Sequence, residues 1–224
     1  MARLARIVLP GIPHHVTQRG NGRAQTFFGD VDYQLYRDLL VAHCQEHGVR
    51  ILGWCLMPNH VHLVLTPSDG DGLRGALSRV HRQYAGHIHA RETCTGHFWQ
   101  GRFGCVAMDE EHLVAAMAYV ALNPVRANLV ENATDWVWSS ARAYRCPRTG
   151  DGVVDLNAVE PYLQAVRRII NAGEEDTRFI ALRRAETIGR PIGNGDFISQ
   201  AEDLTGRTLK PAKRGPKAKR KTEK

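Results

Sequence analysis

Two apolar runs, VRILGWCL at 49–56 and HVHLVLT at 60–66, are separated only by Met57-Pro58-Asn59. Such a link closes a turn but cannot hold the crossover that parallel strands require. The pair therefore predicts an antiparallel hairpin. Its flanks repeat a theme. Segment 12–19, IPHHVTQR, reads as a strand ending at Gly20-Asn21-Gly22. Asp30 is placed to cap a helix with apolar positions Tyr36, Leu39, Leu40 and Cys44, stopping at Gly48. After PSDGDG, Leu73, Leu77, Val80 and Tyr84 mark a second helix, and 98–108 holds a short strand. Asp109 then caps a third helix whose apolar stripe is Leu113, Met117, Val120 and Ala121. The order is β-α-β-β-α-β-α, an α+β ferredoxin-like split β-α-β antiparallel sheet with helices on one face. Helical patterns follow at 158–172, 174–188 and 196–205.

Charge divides the 224-residue chain. Residues 207–224 hold nine basic residues and one acid, including all six lysines, whereas 1–150 is mildly basic and 151–206 acidic. The expected organisation is a catalytic domain at 1–150, a helical region at 151–206 and a basic disordered tail at 207–224. A tail of this composition binds phosphates through counterion release without reading sequence, or serves only as a solubilising end. No run of about 18 apolar residues occurs, and the N-terminal apolar stretch is too short for a secretory signal. Five scattered cysteines, never in a C-x-x-C pair, argue against a disulfide framework or a zinc ribbon and for a reduced, cytoplasmic protein without membrane partners.

The sharpest local feature is His60-Val61-His62. On a strand, side chains alternate, so both imidazoles share one face, about 6–7 Å apart, while Val61, Leu63 and Leu65 enter the core. Such a pair either converges on a divalent ion or stands as two surface histidines. His87-Ile88-His89 has the same spelling in a helical pattern, where i and i+2 point about 200° apart and do not chelate. His14-His15 is also a poor pair, since strand neighbours face opposite ways. In YVALNPVRANLV (119–130), Tyr119 and Asn123 are i, i+4 neighbours, turned away from Met117 on the third helix. Pro124 removes a helical N–H and disfavours regular helix at Asn123.

Taken together, PHHVTQRGN, MPNHVHLVL, FWQGRF, YVALNPVRANLV and WVWSS, in this order over roughly 8–146, resemble the REP-associated tyrosine transposases, a group of single-tyrosine HUH nucleases. The resemblance implies that His60 and His62 bind Mg²⁺ or Mn²⁺, that Asn123 supplies a third ligand, and that Tyr119 attacks a DNA phosphate. It implies a single-stranded DNA endonuclease and strand transferase acting at hairpin-forming palindromic repeats through a 5′-phosphotyrosine, as a monomer or homodimer. DNA contacts are expected from Gln18, Arg19 and Asn21, from Arg79 and Arg82 on the second helix, from Arg102, and from Lys213 and Arg214 in the tail.

The residue types suit that chemistry. A divalent ion on a non-bridging oxygen offsets charge growing on the phosphate, and a tyrosine nucleophile keeps the bond energy in a covalent intermediate that a 3′-hydroxyl can reseal. Two other readings remain at this point. One is a catalytically silent protein of the same fold that binds hairpin DNA or structured RNA. The other is a hydrolytic phosphoesterase with paired H-x-T/S motifs; His15-Val16-Thr17 offers one, but His60-Val61-His62 lacks the hydroxyl.

Overall fold

The computed structural model describes residues 6–173 and 177–209. Four strands form one sheet in the order β2-β3-β1-β4: β1 (His14–Arg19), β2 (Val49–Met57), β3 (His60–Pro67) and β4 (Gly104–Ala107). Every neighbouring pair is antiparallel. The hairpin is present, with Met57 opposite His60. Its turn is held by the Thr26 and Phe27 N–H groups, which donate to the Pro58 carbonyl at 2.8 and 3.2 Å. Val61, Leu63 and Leu65 are wholly buried, and each such side chain contributes about 1.5–3 kcal/mol on burial. Because alternation sends them to one face, His60, His62 and Val64 go to the other.

The Val61 face is covered by α1 (Asp30–Glu46) and α2 (Gly72–Glu92), which pack on each other. The predicted stripe Leu73, Leu77, Val80 and Tyr84 is fully buried. An aromatic group joins the layers: Phe27 stacks on Tyr33 at 4.5 Å and meets Tyr36 and Tyr84 at 5.5 and 5.3 Å. One detail departs from expectation. Gly29, not Asp30, occupies the N-cap of α1, and no side chain caps it there. Asp32, one turn in, instead accepts the Phe28 N–H at 2.8 Å and binds Arg91 of α2. Aspartates at 30 and 32 are close to interchangeable as sequence signals; the ion pair with Arg91 selects the second.

The His62 face carries α3 (Glu110–Arg126), α4 (Ala141–Arg145), α5 (Leu156–Val159), α6 (Leu163–Ala172) and α7 (Thr177–Ile188), with α8 (Gly195–Thr205) beyond. Asp109 caps α3 as expected, accepting the His112 N–H at 3.0 Å. The helix lies between the sheet and α6 and α7, so residues 115–122 are buried all round. Its Tyr119 side therefore faces a covered interior instead of solvent. Pro124 sits inside a helix that continues to Arg126. The Asn123 carboxamide donates to the Tyr119 carbonyl at 3.1 Å and the Ala127 N–H to Asn123 O at 3.0 Å, holding the turn where proline supplies no donor.

Two glycines permit close approach. A Cβ on Gly53, at the β2 bulge, would lie 2.3 Å from the Tyr144 hydroxyl; that hydroxyl donates to the Leu52 carbonyl at 2.7 Å. A Cβ on Gly104 would lie 2.8 Å from Thr17 Oγ1, beneath the Glu186 backbone. The core runs without a break from Val16 through Val159 and Val166 to Leu182, across the residue-150 point where the sequence changes charge. Leu209 is buried beside Ile7 and Leu9, and its N–H donates to Glu202 at 2.6 Å. The rest of the basic tail, with Lys213 and Arg214, lies outside the described residues.

Candidate active site

The sheet register brings together histidines from two strands. His62 stands opposite Thr17, and His15 opposite Val64, so His15 and His62 are diagonal neighbours on one face. Their rings lie within 7° of parallel, with His15 Nε2 3.1 Å from His62 Nδ1. His60 follows on the same face, its ring 4.9 Å from that of His62, and its Nδ1 is 2.6 Å from Asn59 Oδ1. The Asn59 amide nitrogen in turn donates to the Arg23 carbonyl at 3.2 Å, which fixes the carboxamide with its oxygen toward His60.

Tyr119 is delivered onto these rings from α3. It stands nearly perpendicular to His62 and His15, with ring centroids 5.7 and 5.9 Å away. Phe179 of α7 packs on its other side at 5.3 Å, and the Arg126 guanidinium lies 5.1 Å over its ring. Only 6% of Tyr119 is exposed. From α7 comes Glu186, whose Oε1 is 3.5 Å from His15 Nδ1 and 4.0 Å from His62 Nδ1.

Burial governs the electrostatics. It lowers His15 and His60 to about 4, the latter helped by Arg19, and drives His62 well below the ordinary imidazole value, with His15, His60 and two arginines adding to the effect. All three are thus neutral near pH 7, the state in which imidazole binds a metal. Burial raises Glu186 to about 7 against the pull of Arg19 and Arg183. It also raises Tyr119 to about 12, assisted by Glu186 and opposed by Arg126, Arg183 and Arg19.

Among the described residues, His15, His62 and Glu186 form a group able to hold a metal ion. His15 Nδ1 and Glu186 Oε1 are buried without a hydrogen-bond partner of good geometry, a donor set with capacity to spare. Imidazole nitrogen beside a carboxylate suits a divalent ion such as Mn²⁺, whether the carboxylate ligates it or backs an imidazole that does, so this neighbourhood suits the cofactor class that the motifs imply.

Of the residues expected from sequence, the structure brings His60, His62, Tyr119 and Arg19 into one neighbourhood. Asn123 lies one turn beyond Tyr119, with its carboxamide nitrogen engaged on the helix carbonyl, so only its Oδ1 could serve as a ligand. Gln18, on the opposite face of β1, is buried and donates to the Gly101 carbonyl. Arg79 pairs with Glu46. It and the exposed Arg82 belong to α2, across the sheet from the imidazoles; Asn21 is exposed in a single 3₁₀ turn and Arg102 on a loop. Sequence reasoning missed His15, Glu186 and Phe179. The alternation of β1 does put His15, Thr17 and Arg19 on one face. The register bringing that face beside His62, and the return of a helix from residue 177 onward, carry no local signal.

The profile of the family described as "Transposase IS200 like" matches residues 10–123, from the first strand through the tyrosine helix. The chain belongs to that family. Within it, the chain is 21% identical over 109 residues to the REP-associated tyrosine transposase of Escherichia coli (strain K12), an alignment covering 48% of this chain and 64% of that protein, just under two thirds of its length. A solved structure, that of a REP-associated tyrosine transposase bound to a REP hairpin, superposes with a TM-score of 0.56 at 22% identity, covering 70% of this chain and 90% of the other. This likeness establishes the shared fold. The family profile ends at Asn123, so Phe179 and Glu186 come from outside the matched segment.

Proposed function

We propose that this transposase-family chain is a metal-dependent enzyme that nicks and rejoins single-stranded DNA beside hairpin-forming palindromic repeats. The observation that carries this reading is the Tyr119 phenol ring standing 5.7 Å from His62 on the sheet face that also holds His60. The hairpin bound by the solved relative supports the choice of substrate. Tyr119 Oη attacks phosphorus as the P–O3′ bond breaks, giving a 5′-phosphotyrosine. The phenol proton is lost and the departing 3′-oxygen gains one, leaving a free 3′-hydroxyl for the reverse reaction.

Mg²⁺ or Mn²⁺ held by His60 and His62, with Asn123 as third ligand, would supply Lewis-acid neutralisation of the phosphate. The protein's own contribution is positional and electrostatic. Arg19, Arg126 and Arg183 favour the phenolate that burial disfavours, and α3, capped and packed on both sides, fixes the nucleophile. Arg19 on the imidazole face and the exposed Asn21 and Arg102 are the side chains offered to a strand at the site. Arg79 and Arg82, across the sheet, would meet DNA only away from it, Gln18 is engaged within the fold, and Lys213 and Arg214 are further contacts from the basic tail. Five free thiols support a reducing, cytoplasmic setting, and no helix among the described residues is long and apolar enough to cross a membrane. The chain acts as a monomer or homodimer.

Incubating the protein with a labelled hairpin and Mn²⁺ tests the reading: an SDS-stable protein–DNA adduct forms, and Tyr119→Phe abolishes it. An adduct that survives in Tyr119→Phe overturns the assignment. The cover over Tyr119 by Phe179, and Glu186 beside the imidazoles, favour a second reading, a hairpin-binding protein without cleavage. Its signature is tight hairpin binding with no adduct in Mg²⁺ or Mn²⁺.

A further inference from the structure

Glu186, His15 and His62 lie in sequence across three elements, from α7 through β1 to β3. Adjacent polar atoms are 3.5 Å and 3.1 Å apart. Two imidazole nitrogens 3.1 Å apart cannot both present lone pairs, nor both carry hydrogens; one must donate. The carboxyl oxygen at the end of the row sets the direction: Glu186 Oε1, buried with no other hydrogen-bond partner, faces His15 Nδ1 at 3.5 Å as an acceptor. His15 Nδ1–H then points at Glu186, His15 Nε2 becomes the acceptor, and His62 must carry its hydrogen on Nδ1. That leaves the His62 Nε2 lone pair open. His60 reaches the same state independently. Its Nδ1 faces Asn59 Oδ1 at 2.6 Å, and Asn59 cannot turn its amide nitrogen that way without losing Arg23. Both histidines of the H-x-H strand thus show Nε2 and hide Nδ1–H. This is how ligating histidines are usually prepared, with the second nitrogen bonded to an oxygen or other acceptor behind it.

We infer that His15 and Glu186 form a carboxylate–imidazole relay that sets the tautomer and orientation of His62, and that α7 is thereby a working part of the metal site. The inference rests on the proposed metal role of His60 and His62, and it makes His15 and Glu186 positioning residues. It gives a task to two buried atoms that otherwise lack partners, His15 Nδ1 and Glu186 Oε1. It also gives the acidic helical region after residue 150 a place in the chemistry.

The test uses full-length, metal-free protein with ¹⁵N-labelled histidine, read by long-range NMR correlation, together with Mn²⁺ titration by calorimetry. In the native chain His62 shows hydrogen on Nδ1 and a bare Nε2. Glu186→Ala moves His62 toward the Nε2–H form and weakens Mn²⁺ binding by about 10- to 100-fold. Glu186→Gln, which keeps an acceptor oxygen, restores most of both. A native His62 protonated on Nε2 overturns the relay, and so does a Glu186→Ala protein with unchanged tautomer and Mn²⁺ affinity. Lost Mn²⁺ binding with an unchanged tautomer also overturns it, making Glu186 a direct ligand. The tautomer readout needs neither DNA nor cleavage, so an absent covalent adduct strikes the proposed activity and leaves this inference standing.

Discussion

The chain spells His-x-His twice, and the two copies have opposite fates. His60 and His62 sit on β3 with their rings 4.9 Å apart on one face, and the residue between them, Val61, is fully buried on the other. His87 and His89 sit on α2. There Ile88 is again the buried member, but its neighbours diverge: His87 is exposed, and His89 is half-buried against Phe98 at 5.5 Å. Spelling alone carries no chemistry. Period does: two residues per repeat aims a pair at one point, whereas 3.6 splays it.

Substitutions can break that comparison. The largest effect is expected at His62→Ala, which should lower adduct formation by at least roughly 10²–10³-fold and remove Mn²⁺ binding, while His89→Ala leaves both as they were. Equal losses from the two would show that the strand pair has no special role. The middle residues should instead behave alike, as core. Ile88→Ala is expected to cost about 2–5 kcal/mol, read as a shifted urea midpoint with Mn²⁺ affinity retained.

Acid should expose a third difference, between histidines that are buried for structure and those on the surface. His14 accepts the Leu9 N–H and donates to the Ile12 carbonyl, and burial lowers it to about 4. His81, hydrogen-bonded to Tyr36, is lowered to about 3 by burial, with Arg6 adding to the shift. Their folded values lie below the unfolded one near 6.5, so the unfolded chain takes up protons first. Stability is then complete above about pH 6.5 and falls as pH drops toward 4, by roughly 1 kcal/mol per pH unit for each such group. Urea midpoints from pH 8 to pH 4 measure this, and a flat profile counts against it. The smallest effect belongs to His87→Ala, expected within about 0.5 kcal/mol of the native chain.

The comparison also marks how far the sequence could be read. The hairpin, the Asp109 cap and the placement of Tyr119 on the helix after β4 follow from local rules of alternation, capping and period. So does the prediction that His60 and His62 share a face. His15 makes a poor pair with its neighbour His14, which faces the other way, and its partner lies 47 residues later across a strand register that no local pattern encodes. Glu186 is one acid in an acidic stretch until α7 folds back over α3. The cover over the Tyr119 side of α3 is illegible for the same reason: an apolar stripe on one side does not announce a second layer on the other.

The proposed chemistry puts the covalent bond to DNA on Tyr119. Peptide mass spectrometry of the protein after reaction with a REP-type hairpin in Mn²⁺ measures this directly. A 5′-phosphonucleotide on the peptide containing Tyr119 is the predicted result. The same mass on a peptide bearing Tyr162, Tyr144 or another tyrosine, or a free 5′-phosphate with no modified peptide, would contradict it.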